Sequence, residues 1–454
     1  MEDYLDLGLA MTLGSIAALL ILYSRWGWSG RIVGVGLVPA YLLSLGLIHW
    51  PGAILYLLPW YWGGDAPTVE AGFVVSVYAV LAFGVGSVIL GPLITHVFGI
   101  PWSRGPAQRS ESLLPRMYLC VGVACYALLI TVVGGVPTLT AVVAAGWHLV
   151  VVGIGLASWV AWHEGRRSFF AAWVVVAATL PLFTLVSQGF LGYGVSALIA
   201  VVALIVTFTR PRPAWLLIGL ILAYLGVSFY VTYMRDRAAI RDVVWAGAPV
   251  EDRLTQLGRS ASDFEFFDPY DVAQLQRIDA RLNQNFLVGA AVRYLELQRN
   301  PFARGETLWE AAMALVPRAV WPDKPVTAGS GDIVTTYTGF RFAAGTSVGI
   351  GQVMEFYVNF GRLGVVVGFM ILGVVLSLID AGAHQRLVKG DWQSFALWYL
   401  PGLSLLQAGG SLVEVTSSAA AAFVAAVVVN RFVIPDVGGR ASVAATERAR
   451  HHAG

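Results

Sequence analysis

The sequence predicts an all-α, polytopic membrane protein, and three observations carry that assignment. The 454 residues are 57% hydrophobic and only 12% charged, about half the charge of an ordinary soluble domain. The apolar residues gather in blocks of about twenty, the length of helix that crosses a bilayer core. Between the blocks, basic residues fall in alternate short loops. Length alone would allow about three soluble domains, but too few polar residues exist to coat them. The block pattern also excludes disorder, collagen and coiled coils.

Eleven blocks follow in order, at 6–24, 32–50, 72–98, 117–134, 139–162, 169–188, 193–209, 215–233, 353–380, 393–409 and 418–434. Runs at 51–62 and at Val136–Thr140 are short enough to be interfacial or re-entrant. The chain thus divides into eight transmembrane helices over 1–233, a polar segment at 234–352, three helices over 353–434 and a tail at 435–454. Arg25, Arg31, Arg104, Arg109, Arg116, Arg166, Arg167, Arg210, Arg212, Arg386, Lys389 and the tail arginines mark the cytoplasmic side, whereas 51–71, 135–138, 189–192 and 410–417 hold no Lys or Arg. With an odd helix count, the N-terminus is expected outside and the C-terminus in the cytoplasm. The acidic opening Met-Glu-Asp-Tyr-Leu-Asp suits that side and lacks the basic start of a signal peptide. Trp26, Trp28, Trp60, Trp62, Trp159 and Trp162 fall at block boundaries, as an aromatic belt would. Cys120 and Cys125 sit within the fourth block on different helix faces, so they are read as packing residues.

The polar segment lies outside by this topology. From Asp271 to Gln298 apolar residues recur every three or four positions (Val272, Leu275, Ile278, Leu282, Phe286), which predicts a helix ended by Asn300-Pro301. Gly305-Glu306-Thr307 starts a second short helix through Leu315, closed by Pro317. From Pro325 to Ile350 the composition turns to Gly, Ser and Thr. Such a segment is expected to pack on the helix bundle as a loop, since its apolar content is modest for a separate domain. Extended to Leu363 it holds 14 of the 29 basic residues, all Arg except Lys324, with 15 of the 27 acids. Arg presents a planar fork that matches phosphate and carboxylate oxygens two at a time. Most of these arginines are nonetheless expected to pair with nearby acids.

Two motifs stand out. In Pro317-Arg318-Ala319-Val320-Trp321-Pro322-Asp323-Lys324-Pro325, three prolines in nine residues restrict the backbone around two cations. Downstream, Glu355, Asn359 and Arg362 are spaced to share one helix face at the mouth of the ninth block. Polar groups at such a mouth are candidates for a functional site.

Together, Pro-Arg-x-x-Trp-Pro-x-Lys-Pro and the later Glu-x-Tyr-x-Asn-Phe-Gly-x-x-Gly resemble the motifs of Wzy-type O-antigen and exopolysaccharide polymerases, also called oligosaccharide repeat unit polymerases. The likeness covers roughly residues 281–368; elsewhere only the span count and the place of the large outer (periplasmic) loop agree. The resemblance implies a bundle related to metal-independent C-type glycosyltransferases in the bacterial inner membrane. It implies a polyprenyl-diphosphate-linked oligosaccharide as substrate and no cofactor or metal. Membrane lipid, a chain-length regulator and a flippase would be its partners. The chemistry needs cations for the departing diphosphate, and Arg318 and Lys324 fit by type, with Arg281, Arg293 and Arg341 as weaker candidates. It needs a carboxylate to deprotonate or orient the acceptor hydroxyl: Glu355 first, with Asp332 and Asp323 behind it. Asn359, Asp323 and Trp321 are the candidates for sugar contact.

Other readings fare less well. O-antigen ligases share the plan but use a histidine in the large outer loop, and all seven histidines lie outside 234–352. Metal-dependent C-type enzymes carry paired acids in the first outer loop, where only Asp65 and Glu70 occur. A lipid-linked sugar flippase would be expected to show internal repeats and polar residues at the midplane. No P-loop or zinc-ligand spacing is present. The net charge of +2 divides, by this topology, into +9 inside and −7 outside, so the outer face is not the basic patch that nucleic acid requires.

Overall fold

The computed structural model describes residues 2–29, 34–97, 113–131, 137–209, 215–316, 321, 330–341 and 348–434. Among them every regular element is helical. The first half comprises α1 (Glu2–Ser29), α2 (Leu37–Leu55), α3 (Ala66–Gly84), which passes through a π-helical turn into α4 (Gly91–Val97), α5 (Leu113–Thr131), α6 (Pro137–Gly146), α7 (Leu149–His163), α8 (Arg167–Ala178), α9 (Leu180–Gln188) and α10 (Gly192–Thr209). The second half comprises α11 (Trp215–Trp245), α12 (Val250–Ser262), α13 (Val272–Leu282), α14 (Gln284–Val292), α15 (Glu306–Ala314), α16 (Ser330–Thr338), α17 (Gly351–Val388), α18 (Trp392–Leu405) and α19 (Leu412–Val428).

Eight helical stretches are long and apolar enough to cross a membrane: Leu37–Leu55, Ala66–Val97, Val142–His163, Arg167–Gln188, Gly192–Thr209, Leu217–Trp245, Gly351–Val388 and Leu412–Val433. Shorter apolar helices run over Gly8–Tyr23 and Leu113–Leu129. Each overlaps a block seen in the sequence, and the remaining block, 393–409, is the 14-residue α18. The helix expected from 72 starts at Ala66, because the Asp65 side chain accepts from the Thr68 N–H and Pro67 occupies the first turn. Past its apolar stretch α11 continues as helix to Trp245.

Two expectations for the polar segment change. The helix expected across 271–298 breaks at Asn283 (φ −129°, ψ 70°), whose amide donates to Asp279 (2.7 Å); asparagine readily trades helical geometry for such local bonds. The Gly/Ser/Thr stretch contains a helix of its own, α16.

The break at Asn283 redirects α14 inward. Its residues Val288, Gly289, Ala290 and Ala291 are buried, and it crosses α3 where a Cβ on Gly72 would meet the Asn285 carbonyl and one on Gly289 the Thr68 carbonyl. Only hydrogen side chains allow backbones so close. Asn285 fastens α14 to α2: its Nδ2 donates to the His49 carbonyl and its Oδ1 faces His49 Nδ1, both at 2.7 Å. Asp279 accepts from the Tyr56 and Tyr61 hydroxyls (3.2 and 2.7 Å), and Trp60 donates to the Pro269 carbonyl (2.8 Å). The polar segment is therefore keyed into the bundle beside loop 56–65.

Elsewhere, Asp380 of α17 caps α2, which has no side-chain N-cap of its own. It accepts from the Val35 and Leu37 N–H groups (2.8 and 2.9 Å) and from the Tyr23 hydroxyl. One buried acid thus joins α1, α2 and α17.

The longest helix is itself broken. Phe360 (φ −141°, ψ 24°) and Gly361 (φ 62°, ψ −150°) leave helical geometry inside α17. The second pair of angles is open essentially to glycine alone. Gly361→Ala is expected to cost about 1–3 kcal/mol, read as a lower thermal midpoint in one detergent. Gly14→Ala, in an open helical position, is expected to hold or raise that midpoint.

Candidate functional site at the break in α17

A break in a helix strands carbonyls that would have accepted bonds four residues on. Here Val358 O and Asn359 O accept instead from the Ala303 and Arg304 N–H groups (2.9 and 3.2 Å). Asn359 completes the graft. Its Oδ1 accepts from Gly305 N (2.9 Å), and its Nδ2 donates to Thr307 Oγ1 and to the Glu355 carbonyl, both at 2.7 Å. Arg304 (φ 50°) and Gly305 (φ 99°) turn the chain into α15 at this point. Asn359 is fully buried and its amide is engaged within the protein, so its geometry is that of a positioning residue.

One helical turn earlier stands Glu355, 0% exposed. Its Oε2 accepts from the Leu412 N–H (2.5 Å), the first residue of α19, while its Oε1 accepts no hydrogen bond among the described residues. The α19 terminus is organised for this contact by a capping box between Ser411 and Glu414, and a carboxylate at a helix N-terminus meets the positive end of the helix dipole. Thr307, Glu310 and Glu414 also lie near it. The head of α17 is held to loop 406–411 by Gly351 N to Gly409 O and Gln352 N to Ala408 O, both 3.1 Å. Thr416 Oγ1 ties α19 to the Ala311 carbonyl of α15 (2.9 Å). Glu355 is thus enclosed by three elements, with one oxygen left over.

The third member of the expected face is not there. Arg362 lies beyond the break, where its guanidinium is 3.6 Å from Glu296 and 55% exposed. Glu296 also accepts from the Tyr357 hydroxyl (2.6 Å). Arg362 borders an open cleft of about 300 Å³ lined also by Pro67, Glu70, Ala71, Val74 and Val292. The break rotates Arg362 away from Glu355 and Asn359, which remain together.

The other candidates disperse. Arg293 pairs with Asp65 and donates to Thr68 Oγ1 (2.8 Å). The Thr68 hydroxyl and the Arg293 guanidinium hold the Asp65 carboxyl below its ordinary range. Asp332 is exposed on α16, Arg341 is exposed just beyond that helix, and Trp321 is 40% exposed. Arg318, Asp323 and Lys324 lie outside the described residues. Partial burial, with the Arg237 charge in its surroundings, pulls the Arg281 guanidinium below its usual range. The sequence reading passed over Arg237 and Arg241; their i, i+4 spacing just past the apolar part of α11 was the available signal. No protein-family model, curated protein or solved structure matches the chain.

These geometries separate two roles. Asn359→Ala removes three buried hydrogen bonds and is expected to destabilise by about 3 kcal/mol. Glu355→Gln keeps an acceptor for Leu412 N–H and is expected to stay within about 1 kcal/mol of the parent. Denaturation midpoints in one detergent check both; equal losses would assign Glu355 a purely structural role.

Proposed function

We propose that the chain is a Wzy-type polymerase that joins polyprenyl-diphosphate-linked oligosaccharide repeats at the outer leaflet of a bacterial inner membrane. In this reading eleven helices span the bilayer, the N-terminus is outside and the C-terminus inside, and residues 234–352 form a large periplasmic segment. The observation that carries it is Glu355. Of the polar side chains in Glu-x-Tyr-x-Asn-Phe-Gly-x-x-Gly, Tyr357 and Asn359 are bonded to the protein and Arg362 stands by Glu296. Glu355 is buried, with the Thr307 hydroxyl beside its carboxyl and with Oε1 accepting no hydrogen bond among the described residues.

The growing chain is transferred from its lipid carrier to the non-reducing sugar of a new lipid-linked repeat. The acceptor oxygen forms a bond to the anomeric carbon of the donor, the bond from that carbon to the diphosphate oxygen breaks, and polyprenyl diphosphate leaves with the electron pair. Glu355 Oε1 takes or orients the acceptor hydroxyl proton, with Asn359 holding the helix that carries it. Arg318 and Lys324 supply positive charge for the departing diphosphate. A membrane-embedded flippase is the rival reading, and it would form no glycosidic bond.

The experiment is lipid-linked repeat mixed with purified protein in detergent, without nucleotide or gradient. A ladder of longer glycans that persists in EDTA is expected; transbilayer movement without new bonds contradicts the proposal. Arg318→Ala is expected to lower polymer formation by about 10²–10³-fold, the cost of losing one charge-stabilising donor. Lys324→Arg is expected to retain more activity than Lys324→Ala, and full activity in both removes Lys324 from the chemistry.

A further inference from the structure

Glu355 lies out of reach of solvent, at 0% exposure, yet the proposed reading brings a sugar hydroxyl to its Oε1. One of the three elements round it has to move. Two of them are fixed in the bundle. The head of α17 and the start of α19 are the ends of helices long and apolar enough to cross a membrane. α17 buries Val353, Met354, Tyr357 and Val358 around Glu355, and α19 buries Val415, Ala422 and Ala425 along its length.

The third element, α15, is a helix of nine residues and is held differently. The residues it buries are small, Thr307, Ala311 and Ala314, and its largest side chain, Trp309, is 66% exposed. Little apolar area therefore resists its departure. Hydrogen bonds fasten it instead: Thr416 Oγ1 donates to the Ala311 carbonyl (2.9 Å), and Asn359 Nδ2 donates to Thr307 Oγ1 (2.7 Å).

At its base the chain is first pinned and then turned. The Ala303 and Arg304 N–H groups donate to the Val358 and Asn359 carbonyls of α17 (2.9 and 3.2 Å), and the Phe302 ring lies 6.2 Å from that of Tyr357. Arg304 (φ 50°) and Gly305 (φ 99°) follow at once, a left-handed pair directly before the first turn of α15. A non-glycine residue in that region persists only where its surroundings hold it. A pinned loop, two residues that can absorb a change of angle and a short helix with little buried apolar surface are the parts of a hinged lid.

We infer that α15 is a lid over Glu355, hinged at Arg304 and Gly305. Open, it admits the acceptor sugar to the carboxyl; closed, it keeps water from competing for the lipid-linked chain. The inference rests on the proposed function for what enters, whereas the motion itself does not depend on it.

The test uses the full chain in detergent. By hydrogen–deuterium exchange, the hydrogen-bonded amides of α15 are expected to exchange about ten-fold or more faster than those of the head of α17 and of α19. In a Cys120→Ala, Cys125→Ala background, Ala311→Cys and Thr416→Cys are then joined by a short cross-linker that reductant cleaves. The link is expected to slow exchange in α15 and to lower glycan transfer about ten-fold or more, and reductant is expected to restore both. Equal exchange in α15 and the head of α17 overturns the inference, as does full transfer by the linked protein. Exchange in the unaltered chain decides the matter if the double variant does not fold. A link-sensitive α15 in a protein that forms no glycan ladder supports the lid and removes the polymerase.

Discussion

The break at Phe360–Gly361 is the constraint on which the polar end of the molecule depends. A continuous helix would consume the carbonyls of Val358 and Asn359 in its own ladder. Broken, it offers them to Ala303 and Arg304, so residues from a distant part of the chain dock on α17 through backbone bonds. Asn359 then spends its amide on Gly305, Thr307 and the Glu355 carbonyl. The start of α15, the head of α17 and the terminus of α19 are thereby brought round one carboxylate. Glycine at 361 is what makes the arrangement possible, because the angles there exclude side chains.

Much of the architecture was legible in the sequence because bilayer spans are written in composition. Blocks of apolar residues near twenty long became the long helices, although α3 starts six residues before its block because Asp65 caps it. Less legible were features set by tertiary contacts. Periodicity runs unbroken through Asn283, yet the chain bends there because Asp279 offers its amide a local partner. Asp380 reads as the end of a span but closes the unsatisfied N-terminus of α2; an acid at the end of a long apolar run was the only hint. For the candidate site, spacing placed Glu355 and Asn359 together correctly and failed for Arg362, since i, i+7 geometry presumes an unbroken helix. The glycine between them carried that information.

Charge follows a similar logic. The arginines of the polar segment were expected mostly to pair with acids, but among the described residues only Arg235, Arg277, Arg293 and Arg362 stand within ion-pair distance of one. What sequence counting could not sort is which remain unpaired, because partners come from other helices: Asp65 reaches Arg293 across 228 positions. Glu355 is held among other polar groups, with Thr307, Glu310 and Glu414 near it.

The most direct measurement is single-turnover glycan transfer by Glu355→Gln with preloaded lipid-linked repeat, alongside its substrate affinity and thermal midpoint. If Glu355 handles the acceptor proton, transfer falls by about 10²–10⁴-fold while affinity and midpoint stay near those of the parent. Transfer within about three-fold of the parent, at equal affinity, contradicts the account.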